Sequence, residues 1–282
     1  MKMNFTSPVW LQSASNVGGG KEYISFVDTM GNPQIKLSCD GDLQIVSTYN
    51  GDEMIQTLSN ISQQAVSIQS DPNTEIFIYG KVTSFDTTVS YPGGTTEISE
   101  LNTLHAKSLT YLYCPNNPLT SLDVRANTAL TELDCGSNQL TSLDVSANTA
   151  LTCLDCQYNK LTSLDVSANT ALTYLFCNNN QLTSLNVGAN TALTELYCNN
   201  NQLTSLNVGA NTALTELDCN NNQNITDIQL VAVNSSVASS IADAIAAATS
   251  VDGTVTLRQG DEYNQTIIDA AMEKGWDVQY AE

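Results

Sequence analysis

The sequence is short of positive charge and has almost no histidine. Its 282 residues include nine Lys and Arg and one His against 29 Asp and Glu, so the formal net charge is −20. A chain of this charge repels phosphate groups, which argues against nucleic acid and anionic membrane surfaces as partners. It also has no run of 18 apolar residues, which excludes a transmembrane helix and membrane insertion. This balance suits an exposed protein that meets water or basic partners.

Signals of secretion and of catalysis are also missing. The N-terminus lacks the charged and apolar segments of a signal peptide, as expected of a mature or truncated chain. No Gly-x-Ser-x-Gly nucleophile motif occurs, and the one histidine, His105, has no cysteine or carboxylate cluster beside it in the sequence. We therefore predict no catalytic residue, no metal site and no cofactor, and we expect that the protein is not an enzyme.

What the sequence has in abundance is repetition. Residues 119–223 hold five copies of a 21-residue unit, Leu-Thr-Ser-Leu-Asp-Val-x-Ala-Asn-Thr-Ala-Leu-Thr-x-Leu-x-Cys-x-x-Asn-x, with Asn in place of Asp in the last two. A degenerate copy precedes them, and its matching positions are Ile98, Leu101, Leu109, Leu112 and Cys114. A fixed period of this length predicts a solenoid, in which each coil buries its apolar edge against its neighbours.

The residue types within each unit predict which side chains face inward. Both Leu-x-x-Leu-x-Cys and Leu-x-x-Leu-x-Val alternate as a short strand requires, so their last two apolar residues should form buried columns about 4.8 Å apart. Two asparagine columns should satisfy backbone groups at the bends, because Asn tolerates tight turns and both donates and accepts. The first column is Asn127, Asn148, Asn169, Asn190 and Asn211, and the second is Asn117, Asn138, Asn159, Asn180, Asn201 and Asn222.

Six of the eight cysteines follow the same period and should lie inside. They are Cys114, Cys135, Cys156, Cys177, Cys198 and Cys219. Free cysteine packs as a small apolar residue, and parallel side chains in a ladder are poorly placed for a disulfide. We predict that these thiols are reduced and unreactive. In this register Cys153 faces outward, so we expect it to react quickly with thiol reagents.

The repeats resemble a known family. The stretch Leu-Thr-Glu-Leu-Asp-Cys-x-x-Asn-Gln-Leu-Thr-Ser-Leu, at residues 130–143, resembles the leucine-rich-repeat consensus in its short form. The resemblance covers about residues 98–230 and is closest to repeats of surface or secreted proteins of gut bacteria, and more distantly to the internalins. It implies a right-handed solenoid with a parallel sheet, placed at the cell surface or secreted. Because the two halves of the unit are nearly equivalent, the back of the solenoid is either a second sheet or turns.

The flanking regions predict caps. Short apolar runs separated by turn residues over residues 1–80 predict a β-rich, sandwich-like N-terminal domain, followed by the solenoid at 81–230. We match residues 82–86 to the Leu-Thr-Ser-Leu-Asp half of the unit. Residues 231–282 predict an α/β cap whose strands extend the parallel sheet, with inward residues Val237, Ile241, Ile245, Ala248, Ile267, Ile268, Ala271 and Met272. The predicted fold class is therefore α/β, rich in β structure.

The outward residues carry the functional prediction. On the valine strand they hardly vary, and we predict no specific cation site at Asp123, Asp144 and Asp165. On the cysteine strand they vary from coil to coil and mix aromatic and acidic types. This candidate ligand-binding set is Tyr111, Tyr113, Glu132, Asp134, Asp155, Tyr158, Tyr174, Phe176, Glu195, Tyr197, Glu216 and Asp218. Aromatic residues exposed in the middle of a sheet favour contact with a partner, although cross-strand stacking alone is the alternative.

These outward residues are compatible with two functions. The first is a non-catalytic binding or adhesion module, which we expect to be a monomer, that presents this face to a protein or glycan. The second is a structural spacer at the cell surface without a specific ligand. A fold by itself names neither of them.

Overall fold

The computed structural model describes residues 22–31, 33–62, 64–68, 70–87, 97–230, 235–249, 252–258 and 264–281. The strands in these ranges are β1 Tyr23–Asp28, β2 Gln34–Tyr49, β3 Asp52–Ser59, β4 Gln64–Ser67, β5 Thr74–Asp86, β6 Ile98–Asn102, β7 Tyr111–Tyr113, β8 Glu132–Asp134, β9 Cys153–Asp155, β10 Tyr174–Phe176, β11 Glu195–Tyr197, β12 Ser205–Asn207, β13 Glu216–Asp218, β14 Asp227–Gln229, β15 Thr254–Arg258 and β16 Asp277–Ala281. The helices are α1 Ser235–Ala247 and α2 Asn264–Lys274. The fold is an α/β solenoid rich in strands, as the sequence predicts.

The N-terminal strands form an antiparallel sheet around β2. This strand runs through Gly41, where the sequence suggests a turn, and its register against β5 shifts between Asp40 and Gln44. The chain reverses at Asn50 and Gly51, where the sequence also suggests a turn, and their φ angles of 54° and 82° suit a two-residue hairpin turn. As a result residues 52–59 pair with β2 as β3, a strand that the sequence does not reveal.

Strand β5 joins this sheet to the solenoid. It pairs antiparallel with β1 and β2, and its last residues pair parallel with β7, with Phe85 opposite Leu112. The Thr110 N–H donates to the Thr83 carbonyl at 2.9 Å, as Thr131 does to Thr110 at 2.8 Å. Residues 82–86 therefore occupy the cysteine side of a coil, and our assignment of them to the valine side is wrong. The mixed pairing of β5 makes the two regions one sheet.

One face of the solenoid is a continuous parallel sheet. This sheet, called here the front sheet, consists of strands β7, β8, β9, β10, β11 and β13. Each strand pairs with its neighbour so that equivalent residues of successive repeats lie opposite each other. The central residue of each strand is a buried leucine, and the members of this column are Leu112, Leu133, Leu154, Leu175, Leu196 and Leu217. The predicted inward and outward alternation on this side is confirmed.

The opposite side of the coils is mostly turns. Two consecutive turns follow each valine, since the Asn127 N–H donates to the Val124 carbonyl and the Leu130 N–H to the Asn127 carbonyl, at 2.9 and 3.1 Å. The valine carbonyl thus accepts from a turn of its own coil, and it also accepts from the asparagine side chain of the next coil, as Val124 does from Asn148 at 2.9 Å. Sheet pairing on this side begins only at β12, apart from one bridge between Asn186 and Asn207. Two sequence halves that look alike therefore fold differently.

The two asparagine columns connect each coil to the next, as predicted. In the first column the Asn148 Nδ2 donates to the carbonyls of Val124 and Asn127, at 2.9 and 2.8 Å. In the second, the Asn138 side chain accepts from the Leu119 N–H at 3.1 Å and donates to the Cys114 carbonyl at 2.9 Å. These contacts satisfy buried peptide groups that no strand partner reaches.

The first asparagine column has one incomplete contact. In the first coil the Asn127 Oδ1 accepts from the Thr103 hydroxyl at 2.8 Å. In later coils valine replaces that threonine, and the buried Oδ1 atoms have no hydrogen-bond partner among the described residues. These atoms belong to Asn148, Asn169, Asn190 and Asn211.

The C-terminal region closes the solenoid in two ways. Helix α1 covers the end of the front sheet, where the Cys219 N–H donates to the Ser240 hydroxyl at 3.3 Å. Strand β14 instead pairs parallel with β12, β15 pairs with β14, and β16 pairs with β15. The prediction that the terminal strands continue the parallel sheet is therefore corrected: they build a separate sheet on the back, because α1 occupies the end of the front one.

Side chains of the cap follow the predicted helical stripes with one exception. Val237, Ile241 and Ile267 are buried, whereas Met272, predicted to face inward, is 70% exposed.

The packing of Trp276 requires a glycine at position 253, because a Cβ there would lie 2.2 Å from the indole ring. One apolar cluster runs through the N-terminal strands, the coils and this cap. The division of the chain at residues 80 and 230 stays a prediction.

We expect Val145→Thr to cost little stability, because its hydroxyl can donate to the buried Oδ1 of Asn169, as Thr103 does to Asn127. The matched control is Val255→Thr in β15, which is equally buried but lies outside the asparagine column. Without a hydrogen-bond partner, the new hydroxyl of Val255→Thr should lower the free energy of unfolding by about 1–3 kcal/mol. Urea unfolding of both variants makes the comparison, and equal destabilisation would show that the Oδ1 atoms are not available acceptors.

Candidate functional site

The outward side chains of the front sheet form two columns, and together these twelve residues are called the front face. The first column is Tyr111, Glu132, Cys153, Tyr174, Glu195 and Glu216, and the second is Tyr113, Asp134, Asp155, Phe176, Tyr197 and Asp218. Six of the twelve are carboxylic acids, five are aromatic and one is cysteine. The strands hold them rigidly, because every strand is anchored by its buried central leucine.

The aromatic residues fall into two groups. At the N-terminal end the rings of Tyr111 and Tyr113 lie 6.5 Å apart between centroids, with planes 8° from parallel. At the other end Phe176 and Tyr197, on neighbouring strands, lie 5.2 Å apart, beside Tyr174. Strands β8 and β9 separate the two groups and bring only acidic residues and Cys153 to the face.

Tyr158 stands in the turn that follows β9. Its backbone has a φ of 51°, a left-handed conformation that the corresponding Asn116, Asn179 and Asn200 also adopt. Asparagine tolerates this conformation better than tyrosine does. The Tyr158 side chain is 55% exposed, so it adds an aromatic group at the edge of the face between the other two.

Two tyrosine hydroxyls hold neighbouring carboxylates in place. Tyr113 donates to Glu132 on the next strand, and Tyr197 donates to Glu216 at 2.7 Å. The hydrogen bond to Glu216 raises the pKa of Tyr197 to about 12, and burial together with Glu132 raises the pKa of Tyr113 further. Sequence reasoning missed both pairs. The signal was present in the sequence, because each tyrosine precedes its glutamate by 19 residues, two fewer than the 21-residue period.

Two aspartates meet in the middle of the face. Asp134 and Asp155 lie directly opposite each other on β8 and β9. The Asp134 Oδ1 accepts from the Gly136 N–H at 3.0 Å, and Asp155 accepts from the N–H and the side chain of Gln157 at 3.1 and 2.8 Å. Burial raises the pKa of Asp134 to about 6, reinforced by the charges of Asp155 and Asp86 and opposed by the Gly136 hydrogen bond. Burial raises the pKa of Asp155 as well.

The backbone beside these aspartates is closely packed and carries a glycine. A Cβ on Gly136 would lie 3.1 Å from the Asp155 Oδ1, 3.3 Å from the Gln157 Cγ and 3.4 Å from the Asp134 Oδ1, so a side chain there would crowd both carboxylates. In the next coils this position carries the side chains of Gln157, Asn178, Asn199 and Asn220. The acidic pair therefore lies beside a position that has no side chain, unlike its equivalents in the later coils.

The cysteines lie as the repeat predicts. All eight lie in the described part of the chain and none is in a disulfide, and the six of the ladder are fully buried. Burial raises the pKa of the ladder thiols, for example that of Cys177 to about 12. Cys153 is partly exposed, but partial burial and the nearby Glu132 and Asp155 raise its pKa to about 11. The expectation of a quick reaction at Cys153 therefore needs correction, since little thiolate exists at neutral pH.

The aspartates on the back of the coils serve their own turns. The Asp144 Oδ1 accepts from the N–H and the hydroxyl of Ser146 at 3.0 and 2.6 Å, which lowers the pKa of Asp144. Asn186 and Asn207 make the same backbone contact in the later coils. In this region a shallow cavity of about 410 Å³ is lined by Asn186, Gly188, Asn207, Gly209, Ala210, Gln229, Leu230 and Thr256. Its lining contains no titratable side chain.

Metal-ligating side chains do not cluster in the described ranges. These residues contain no group of three or more His, Cys, Asp and Glu arranged to hold a metal ion. Neither described helix is long and apolar enough to cross a membrane.

The coil geometry defines a class, that of parallel solenoids with a 21-residue turn. A family model for leucine-rich repeats matches residues 107–148, 149–187 and 191–232. The segment that forms the front sheet is therefore built of leucine-rich repeats. Among curated proteins none matches the chain.

Solved structures similar to this chain are also leucine-rich-repeat proteins. The functional domain of InlJ from Listeria monocytogenes, which includes a cysteine ladder, is 29% identical over 63% of this chain and 48% of its own, with a TM-score of 0.39. An internalin, InlF, from the same species is 19% identical over 66% and 46%, with a TM-score of 0.39. The leucine-rich repeat domain of APL1B is 19% identical over 70% and 64%, with a TM-score of 0.45. This chain spans less than two thirds of each.

We expect a single slow labelling event when the folded protein meets a thiol reagent at neutral pH, and it should occur at Cys153. Its rate should rise steeply between pH 8 and pH 11, because the pKa of Cys153 is about 11. Intact-protein mass spectrometry counts the modified thiols, with Cys153→Ser as the control that removes the signal. Rapid modification of the ladder thiols without denaturant would show that the inward assignment is wrong.

We expect Asp134→Asn to stabilise the protein at pH 7.5 but not at pH 4. The pKa of Asp134 is raised to about 6, so the folded state holds its proton more tightly than the unfolded state and loses stability as pH rises from about 4 to 6. Asparagine keeps an acceptor for the Gly136 N–H and cannot ionise. Thermal unfolding at both pH values measures the effect.

The charge-matched control for this prediction is Asp144→Asn. The pKa of Asp144 is lowered, and asparagine caps the same turn in later coils, so no gain at pH 7.5 is expected. An equal gain in both variants would assign the effect to the net charge of the chain and not to the buried pair.

Proposed function

We propose that this protein is a non-catalytic binding module that presents its front face to a macromolecular partner. The observation that carries the proposal is the set of aromatic side chains held outward on a rigid sheet. Tyr111 and Tyr174 are 39% and 40% exposed there. Tyrosine and tryptophan are enriched at interfaces because they combine a large apolar surface with a hydrogen-bonding group.

The contrast between the two sides of the coil supports this choice of face. On the back, the aspartates or asparagines of successive coils repeat one structural contact, the capping of the next turn. On the front, the residues change identity from coil to coil although the backbone does not. Variation on a constant scaffold is what a surface fitted to a particular partner requires, since a purely structural surface needs no such variation.

Stacking within the sheet is the main alternative explanation of the aromatic residues. The contacts of Tyr111 with Tyr113 and of Phe176 with Tyr197 stabilise neighbouring positions. Stacking accounts for one side of each ring and leaves the exposed part of Tyr111 and Tyr174 without a role. In the spacer alternative, the solenoid would only hold other parts of a larger protein at a distance.

The proposed location is the cell surface or the surrounding medium, with the protein as a monomer. It is supported by the acidic net charge of −20 and by the resemblance of the repeats to those of surface and secreted proteins. Either a protein or a glycan is compatible with the proposed binding function. Leucine-rich repeats serve in general as binding scaffolds, and the proposal assigns no reaction to the front face.

We expect the double variant Tyr174→Ala/Phe176→Ala to lose binding to the partner by about thirtyfold or more, because a central aromatic anchor typically contributes 2 kcal/mol or more. The partner is first sought by capture from protein extracts and on a glycan array with the unmodified protein. Affinity is then measured by biolayer interferometry for each variant.

The control is Ser142→Ala/Asp144→Ala on the back of the preceding coil, which should leave binding unchanged. If the back variant weakens binding while the aromatic variant leaves binding and folding intact, the wrong face has been chosen. If neither screen yields a partner that depends on either face, the spacer alternative is favoured.

A further inference from the structure

The front face carries negative charge without any compensating base. Half of its twelve residues are carboxylic acids and none is Lys or Arg. The ion pairs found in the described ranges join Lys36 to Asp86, Lys81 to Asp40, and Arg125 to Asp123, so none involves a front-face residue. A partner that covers this face must therefore supply positive charge or leave several carboxylates desolvated, which is unfavourable.

Three of the six carboxylic acids, Glu132, Asp134 and Asp155, lie between the two aromatic groups. Asp134 and Asp155 stand opposite each other on adjacent strands, about 4.8 Å apart at the backbone. Tyr113 precedes Asp134 in the same column, and Phe176 follows Asp155. A cationic group that reaches the two aspartates is thus flanked by aromatic rings on both sides along the column.

The chemistry of this position suits a planar cation. The two carboxylates belong to directly opposed residues of adjacent strands, so one group can contact both. A guanidinium presents several N–H donors in one plane, and these can contact two neighbouring carboxylates at once while the flat faces stack on rings. An ammonium group is a compact, strongly hydrated charge and gains less from either feature.

These features distinguish between classes of partner. A neutral glycan would cover Asp134 and Asp155 without relieving the repulsion between them. A polypeptide segment with arginine side chains relieves that repulsion and also uses the aromatic groups. We propose that the front face docks a basic polypeptide segment, with an arginine side chain seated between its two aromatic groups. This inference rests on the proposed binding function and narrows it to one kind of partner.

The test uses two fluorescent peptides as probes, one alternating arginine with glycine and one alternating lysine with glycine at the same length and charge. Fluorescence anisotropy at near-physiological salt gives their affinities. We expect the arginine peptide to bind the unmodified protein more tightly. The variant Asp134→Asn/Asp155→Asn should weaken that binding by about tenfold or more and abolish the preference for arginine.

The matched control removes the same charge from the back of neighbouring coils. Asp144→Asn/Asp165→Asn should change the affinity for the arginine peptide by less than about twofold, because long-range attraction is screened at this salt. If the front and back variants lose affinity equally, the peptides respond only to the net charge of −20, and the inference is wrong.

A second variant crowds the two carboxylates without changing the charge. Gly136→Gln introduces the residue that the next coil carries at position 157, and its backbone is outside the left-handed region. We expect this variant to lose the preference for the arginine peptide while it keeps the cooperative unfolding of the parent. A preference that survives in Gly136→Gln contradicts a seat beside the aspartates.

The two proposals fail in different ways. If Tyr174→Ala/Phe176→Ala loses the captured partner but Asp134→Asn/Asp155→Asn binds it as well as the parent does, the front face binds and the basic-partner inference fails. If the arginine peptide behaves as expected but no front-face variant affects the captured partner, the cationic seat exists and the proposed function of the face as a whole fails.

Discussion

Each coil of this solenoid completes its backbone hydrogen bonds with the side chains and peptide groups of the adjacent coil. The Asn148 amide donates to carbonyls of the coil before it, and the Leu119 N–H donates to Asn138 in the coil after it. Buried peptide groups at the bends would otherwise be costly. The strict period follows from this constraint, because an insertion of one residue would break both asparagine contacts. The leucine and cysteine columns then stack without gaps.

A scaffold that repeats so strictly separates structure from surface. The inward residues are held constant by packing, while the outward residues of the front sheet differ from coil to coil. Some of them also cap backbone N–H groups, as Asp134 does for Gly136 and Asp155 for Gln157. On the back, Asp144 and its equivalents repeat this contact from coil to coil, so that side varies little. The aromatic residues stand on the front, where Tyr174 and Phe176 are on the same strand as the buried Leu175.

The middle of the front face opposes folding locally. Asp134 and Asp155 are half buried and adjacent, and their raised pKa values show that the folded protein disfavours both charges. Sites of this kind are more common where a protein meets a ligand than where it only supports itself. An arginine from a partner would remove the repulsion, so the same pair that weakens the free protein would strengthen the complex.

The 21-residue period by itself determined the solenoid, the inward cysteines, the two asparagine columns and the columns of the front face, because neighbouring coils repeat every side-chain environment. Only the tertiary structure decided the features without a periodic signal. These include the long β2 with its partner β3, the parallel pairing of Phe85 with Leu112, and the terminal strands on the back of the coils. It also decided that burial and nearby carboxylates raise the pKa of Cys153 and that Met272 is exposed. Such features depend on contacts between distant segments, and alternation along one strand or helix does not report which neighbour it meets.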